Sequence, residues 1–278
     1  MFNTKSTAVE LTHGFRIPSK PAILLEVEEK AAEPEFELSD LGEIISKDPA
    51  LSSSVLQVVN ASANGLNRTI SDISQAVCFL GVTQLKAIIA IYKMREEYGQ
   101  NLAIKLERFW DETVATGGTM LYINKWLGNK LKPDTLYSLG LFHDCGIAAM
   151  AFKYDDYMKT LQEANDRPDV LLYDLENEKY KTDHATVGYF ITSSWHLPKG
   201  LCKMVRYHHD IEVIKTKFPR EIQEDMAVLH IAEDALRSTR RSEESDWFNE
   251  NKALFLGWLD MSDEDYENLK DDVDALGI

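Results

Sequence analysis

The stretch LGEIISKDPALSSSVLQVV, Leu41 to Val59, decides the fold class. Its apolar residues fall at Leu41, Ile44 and Ile45, then at Leu51, Val55, Leu56, Val58 and Val59, a spacing that lines one face of a helix. Asp48-Pro49 divides the two runs as a cap followed by proline at the first helical position, and Asp40 with Glu43 has capping-box spacing. The same devices recur outward. Asp72 with Gln75 repeats the box, Asn64-Gly65 and Gly81 followed by Thr83 mark turns, and QLKAIIAIYKM reads as another helix. From Leu102 the helices lengthen. Segment 105–127 is apolar at Leu106, Phe109, Trp110, Val114, Met120, Leu121, Ile123 and Trp126, and Pro133-Asp134 opens a helix through Leu141. Residues 153–182 read as a connecting helix with loops, 184–194 and 200–207 as short helices around a His196-Leu197-Pro198 turn, and 221–238 as an amphipathic helix. No alternating run of strand length competes, so an all-α fold is expected.

The 278 residues carry 30 basic and 46 acidic side chains, a net charge of −16, with 44% hydrophobic and 10% aromatic content. That much apolar surface excludes disorder. The charge opposes a general DNA- or RNA-coating role, because it repels a phosphate backbone at long range. It is unevenly spread: residues 243–278 hold twelve acids against Lys252 and Lys270, which is −10 and leaves −6 for residues 1–242. Cys78, Cys145 and Cys202 form no C-x-x-C pair and read as packing residues in a reducing compartment. Neither a membrane span nor the apolar core of a signal peptide is legible, so a cytoplasmic location is expected.

Histidine placement carries the chemistry. Of seven histidines, six (His143, His184, His196, His208, His209 and His230) lie between 143 and 230, and none lies between 14 and 142. His143-Asp144 in GLFHDCG joins imidazole to carboxylate, donors suited to a borderline divalent metal. DHATVG at 183–188 and RYHHD at 206–210 supply further donors.

Taken in order, LGEIISKDPALSSSVLQVVNASANG, ISDISQAVCFLG, GLFHDCG and ENEKYKTDHATVGYFITSSWHLPKGLCKMVRYHH resemble the HDOD domain, a signalling-associated relative of the HD metal-dependent phosphohydrolases, from about Pro18 to about Asp210. The resemblance implies a two-lobed helical fold: an extension at 1–15, an N-terminal helical lobe at 16–101, an HD-like lobe at 102–242 and an acidic, aromatic-bearing helical segment at 243–278. Catalytic HD enzymes place a histidine on the helix before the HD pair and an aspartate on a late helix. Here those positions fall at Glu112 and Glu233, with Asp234 one residue off. The HD-GYP relatives add a later histidine and a histidine doublet, matched by His184 and His208-His209, but their GYP segment is absent.

Two functions follow from the resemblance. One is a non-enzymatic signalling or scaffold module with no cofactor, binding a protein partner or a nucleotide in a degenerate HD-type cleft, its input coming from a separate protein. The other is a phosphohydrolase with a remodelled di-metal site for iron, manganese or zinc, built from His143, Asp144, His184, His208 and His209 with Glu112 and Glu233 as oxygen substitutes.

Plainer readings stand beside these. Asp144 can be a cap and His143 an internal histidine inherited without its metal; His184 can be oriented by the Asp183 cap. His208 and His209, about 100° apart on a helix, should not both enter one cleft. Asp183 and Glu178 read as surface or capping groups, and His13 and His230 have no evident partner. Asn60 should close a helix end, and Trp110, Trp126 and Trp195 should pack in the core. The acidic end can fold back on the domain or present its aromatics to a partner.

Overall fold

The computed structural model describes residues 14–61, 69–99, 106–167, 169–241 and 245–276. Among these, regular structure is helical throughout, in two lobes. The first comprises α1 (Ala22–Ala31), α2 (Leu38–Ser46), α3 (Pro49–Val59) and α4 (Ile73–Gly99), with α1, α2 and α3 all packed on α4. Asp48 caps α3, accepting the Ala50 and Leu51 amides at 3.1 and 3.0 Å, and Asp72 accepts the Gln75 amide at 2.8 Å. The box at α2 begins earlier than its spacing suggests. Glu37 is the cap, and Asp40 is the residue that reaches back to the Glu37 amide, at 3.3 Å. Gly81, at φ +71°, breaks α4 into two segments, a conformation that glycine adopts without strain. Among the described residues α4 alone is long and apolar enough to cross a membrane, yet half of that window is buried inside the fold.

Asn60 does close α3, and it does more. Its amide donates to the carbonyls of Leu56 (2.9 Å) and Ile70 (2.7 Å) and accepts the Ile70 amide (2.8 Å), tying the end of α3 to the approach to α4. Asn64-Gly65, His13 and the divisions proposed at 101/102 and 242/243 lie outside the described residues.

The second lobe comprises α5 (Glu107–Trp126), α6 (Pro133–Phe142), α7 (Gly146–Lys153), α8 (Tyr157–Asp166), α9 (Leu172–Tyr180), α10 (His184–Ser194), α11 (Lys199–Tyr207), α12 (Ile211–Lys217) and α13 (Arg220–Arg241). Helix α6 is central: it packs on α5, α11 and α13 and meets α4 of the first lobe. One apolar core runs through both lobes. The chain before α1 straps them together: Tyr98 donates its hydroxyl to the Arg16 carbonyl and Trp195 its indole N–H to the Pro18 carbonyl, both at 2.7 Å.

The acidic end folds as α14 (Asp246–Trp258) and α15 (Asp263–Leu276), both packed on α13. Phe248, Phe255, Trp258 and Tyr266 are buried there, while Asp246, Glu250, Glu264, Glu267 and Asp271 face outward. The sequence leaves open whether these aromatics serve the fold or a partner; four of them serve the fold. Trp110 and Trp195 are core residues as expected, but Trp126 is 37% exposed in the last turn of α5, and Cys78 is exposed rather than packed.

Candidate metal centre

Two close helix approaches bring the chemical groups together. A Cβ on Gly146 would lie 2.0 Å from the His184 carbonyl oxygen and 2.8 Å from the Gly188 amide nitrogen, so α7 and α10 touch backbone to backbone. A Cβ on Gly140 would lie 2.6 Å from Cα of Gly117, giving α5 and α6 the same intimacy. The glycines of GLFHDCG and DHATVG are thus what allow His143-Asp144, between α6 and α7, to meet His184 at the start of α10. His208-His209 enters from just beyond α11 and Glu233 from α13.

Asp144 is the hub. Its Oδ1 lies 3.2 Å from His184 Nε2 and 3.3 Å from His208 Nε2, and its Oδ2 lies 3.4 Å from His143 Nε2. His184 Nε2 is 3.0 Å from His209 Nε2 and 3.4 Å from His208 Nε2; His143 Nε2 is 3.4 Å from Glu233 Oε1. Two candidate ligand groups result, Asp144 with His184, His208 and His209, and Asp144 with His143 and Glu233, and within each the donor atoms lie within 4.8 Å of one another. Asp144 belongs to both.

The far side of three of the four rings fixes the tautomer. His143 Nδ1 donates to the Gly140 carbonyl at 2.9 Å and His208 Nδ1 to the Val205 carbonyl at 2.8 Å. His184 Nδ1 donates to Glu176 at 2.7 Å; the fully buried Glu176 also accepts the His184 amide at 2.8 Å and the Tyr157 hydroxyl. A carbonyl only accepts, so the N–H sits on Nδ1 and, in neutral rings, the Nε2 lone pairs of these histidines face the shared centre. Asp144 Oδ1 and His209 Nδ1 are buried with no hydrogen-bond partner among the described residues. Converging lone pairs beside an orphaned carboxylate oxygen are the donor set a divalent cation completes, and outward N–H bonds of this kind orient metal-binding histidines.

The sequence profile of the HDOD domain matches residues 17–211. The chain belongs to the HDOD family. An uncharacterised protein of Treponema pallidum (strain Nichols) is 27% identical to it over 195 residues, 70% of this chain and 38% of that relative, so the HDOD chain spans well under half of the curated protein it matches. Among solved structures, an HDOD domain protein of unknown function from Geobacter sulfurreducens has a TM-score of 0.71 at 22% identity, covering 97% of this chain and 93% of its own. A candidate metal-dependent phosphohydrolase from Shewanella amazonensis SB2B has a TM-score of 0.65 at 20% identity, covering 99% of both chains. At these identities the likeness shows the fold. Coverage of 97–99% leaves too few unmatched residues to omit 243–278, so the acidic helices belong to the shared architecture instead of standing outside it.

Charge around the HDOD cluster is finely divided. Burial pushes His143 down, but Asp144 and Glu233 outweigh it and raise it to about 10. Burial likewise opposes His184, which Glu176 and Asp144 raise well above the usual imidazole value. His208 and His209 are lowered by burial, reinforced by neighbouring imidazoles. Burial would raise Asp144 and Glu233, yet facing histidines hold both well below the usual carboxylate range.

Several expectations need correction. Glu112 joins neither ligand group: one helical turn away on α5, Arg108 holds its carboxylate at 3.0 Å. His208 and His209 both enter the cleft: they close the C-terminal end of α11 with ring centroids 4.0 Å apart, and both Nε2 atoms face His184. Asp183 does cap α10, accepting the Thr186 amide at 2.6 Å, but Glu176 orients His184. Asp234 accepts the Tyr266 hydroxyl, leaving Glu233 as the late-helix candidate ligand. Glu176 and His230 are the residues sequence reasoning misses. His230 Nδ1 faces Glu233 Oε2 and its Nε2 donates to the His208 carbonyl, each at 2.9 Å.

Proposed function

We propose that this protein is a signalling module of the HDOD type whose HD-derived cluster is a working divalent-metal site. The carrying observation is the convergence of His184, His208 and His209 Nε2 on Asp144, with the outer nitrogens of His184 and His208 already committed to acceptors. Three imidazoles with carboxylate suit iron, manganese or zinc better than magnesium or calcium, which prefer all-oxygen shells. In this reading the loaded site lets the domain recognise a phosphate-bearing ligand such as a nucleotide and report to a protein partner in the cytoplasm. Asp144 and Glu233, each partly exposed, form the approach.

Protein purified without chelator under anaerobic conditions should contain at least one equivalent of iron, manganese or zinc by mass spectrometry of the elements. His184→Ala should lose that metal while keeping its helical circular dichroism. Wild type that stays metal-free after reconstitution with each ion would sink the proposal.

One observation favours hydrolysis as a second reading. Asp144 is shared by both ligand groups, the arrangement of a bridged metal pair, and such a pair lowers the pKa of a bound water and screens phosphate charge. The probe is turnover of bis(p-nitrophenyl) phosphate by metal-loaded protein. Turnover abolished in Asp144→Asn would make the domain an enzyme, and full loading without turnover would leave it a binding module.

A further inference from the structure

We infer that His230, held by the C-terminal helical pair, is a positioning residue that ties the two ligand groups of the metal centre to each other. The inference rests on the metal-site reading above and assigns a role to residues beyond the matched span 17–211.

The two ring nitrogens of His230 serve different groups. Nδ1 lies 2.9 Å from Oε2 of Glu233, whose other oxygen faces His143. Nε2 donates at 2.9 Å to the carbonyl of His208, whose own ring faces Asp144, His184 and His209. One buried imidazole therefore fixes a carboxylate ligand of one group and the backbone carrying an imidazole ligand of the other. His143 also touches both, facing Glu233 at 3.4 Å and packing edge-on against the His208 ring, but it is itself a candidate ligand, whereas His230 belongs to neither ligand group.

His230 is itself held in place. Trp247 packs edge-on against its ring with centroids 4.8 Å apart, and Phe255 lies tilted against it at 4.9 Å. Trp247 also reaches the His209 ring, at 6.1 Å. Both aromatics sit on α14. The second helix of the pair adds its own hold: the buried Tyr266 hydroxyl donates to Asp234, next to Glu233. The acidic helices thus reach the metal centre through aromatic side chains directed inward, whatever their outward carboxylates do.

A ligand fixed by outer hydrogen bonds binds metal more tightly because less orientational freedom is lost on binding, and removing such a partner typically weakens affinity about 10- to 100-fold. Two isosteric replacements separate the nitrogens of His230. Asparagine places its amide N–H near the position of Nδ1 and so keeps the link to Glu233; glutamine places its amide N–H near Nε2 and so keeps the link to His208.

The test is metal affinity by chelator competition, with cobalt(II) as the probe because its visible bands report coordination directly. His230→Asn should weaken the site of His184, His208 and His209 about tenfold and spare that of His143 and Glu233. His230→Gln should do the reverse, and His230→Ala should weaken both. Trp247→Ala, which leaves every hydrogen bond in place, should weaken both less, by about three- to tenfold. Wild-type affinity at both sites in all four variants would overturn the inference while leaving the metal reading intact. Failure of wild type to bind cobalt would overturn the metal reading and this inference with it. Should His230→Ala misfold, the Asn and Gln variants still decide through their opposite patterns.

Discussion

At the scale of single residues, the cluster divides four imidazoles into two that favour a proton and two that reject it. His143 and His184 are raised by facing carboxylates, so their contribution to metal-free stability is full below the unfolded value of about 6.5. For His143 that contribution is lost as pH climbs from there to about 10. His208 and His209 are lowered, so they oppose folding as pH falls below about 6.5, where the unfolded state takes up protons more readily. Asp144 and Glu233, held low, add stability that persists until strongly acid pH. Metal-free protein should therefore be most stable near neutrality and lose thermal stability toward pH 9. A bound cation replaces the protons of His143 and His184 and should flatten that alkaline limb. Differential scanning fluorimetry of both forms across pH checks this, and calorimetric titration in buffers of different ionisation heat should show at least one proton released per chain on metal binding. An unchanged alkaline limb in loaded protein would contradict the assignment. The candidate ligands themselves were legible as motifs, since His143-Asp144, His184 and His208-His209 stand in characteristic strings. Glu176 and His230 were not, because an outer partner is defined by where a helix ends in space: Glu176 opens the string that holds His184, yet nothing in its spacing marks it as that ring's partner.

At the scale of elements, the candidate metal centre depends on helices approaching more closely than side chains usually permit. Gly146→Ala would drive a methyl group into the His184 carbonyl, and backbone cannot yield as a flexible side chain can. The expected result is a loss of about 3 kcal/mol in urea unfolding, the upper part of the usual overpacking range, together with loss of metal, since α10 must shift and take His184 with it. Gly257→Ala is the contrasting case. That glycine lies within α14 with nothing inside 4 Å of a new Cβ, so the change should raise stability by about 1 kcal/mol through helix propensity alone. Equal effects from the two substitutions would refute the close-approach account. Helix periodicity, Asp48-Pro49 and Gly81 could all be read from the chain because they act within a few residues. The starting point of α2 could not, since Asp40 serves equally as a cap or as the third residue of a box until the dihedral angles of Glu37 and Leu38 are known.

At the scale of the whole molecule, two lobes are legible through family resemblance, but what joins them is not. The join includes the seam of α4 against α6 and α7, the Arg95–Asp111 ion pair from α4 to α5, and the strap before α1, whose bonds to Tyr98 and Trp195 span 82 and 177 residues of sequence. No local pattern announces a contact at such separation. Because the apolar core is continuous through both lobes, they should unfold in one transition, with the strap contributing to the stability of the whole. Trp195→Phe tests this. It keeps an aromatic ring in the core but removes the indole N–H, leaving the carbonyl of buried Pro18 without that donor, a change that costs about 1–3 kcal/mol. The calorimetric endotherm of metal-free protein should move down as a single peak, with an unchanged dependence on denaturant. A split into two peaks would mean that the lobes are separate cooperative units held chiefly by the strap. The proposed metal centre, which draws every candidate ligand from the second lobe, would then keep its affinity as the first lobe melts, whereas a single transition ties metal release to the melting of both.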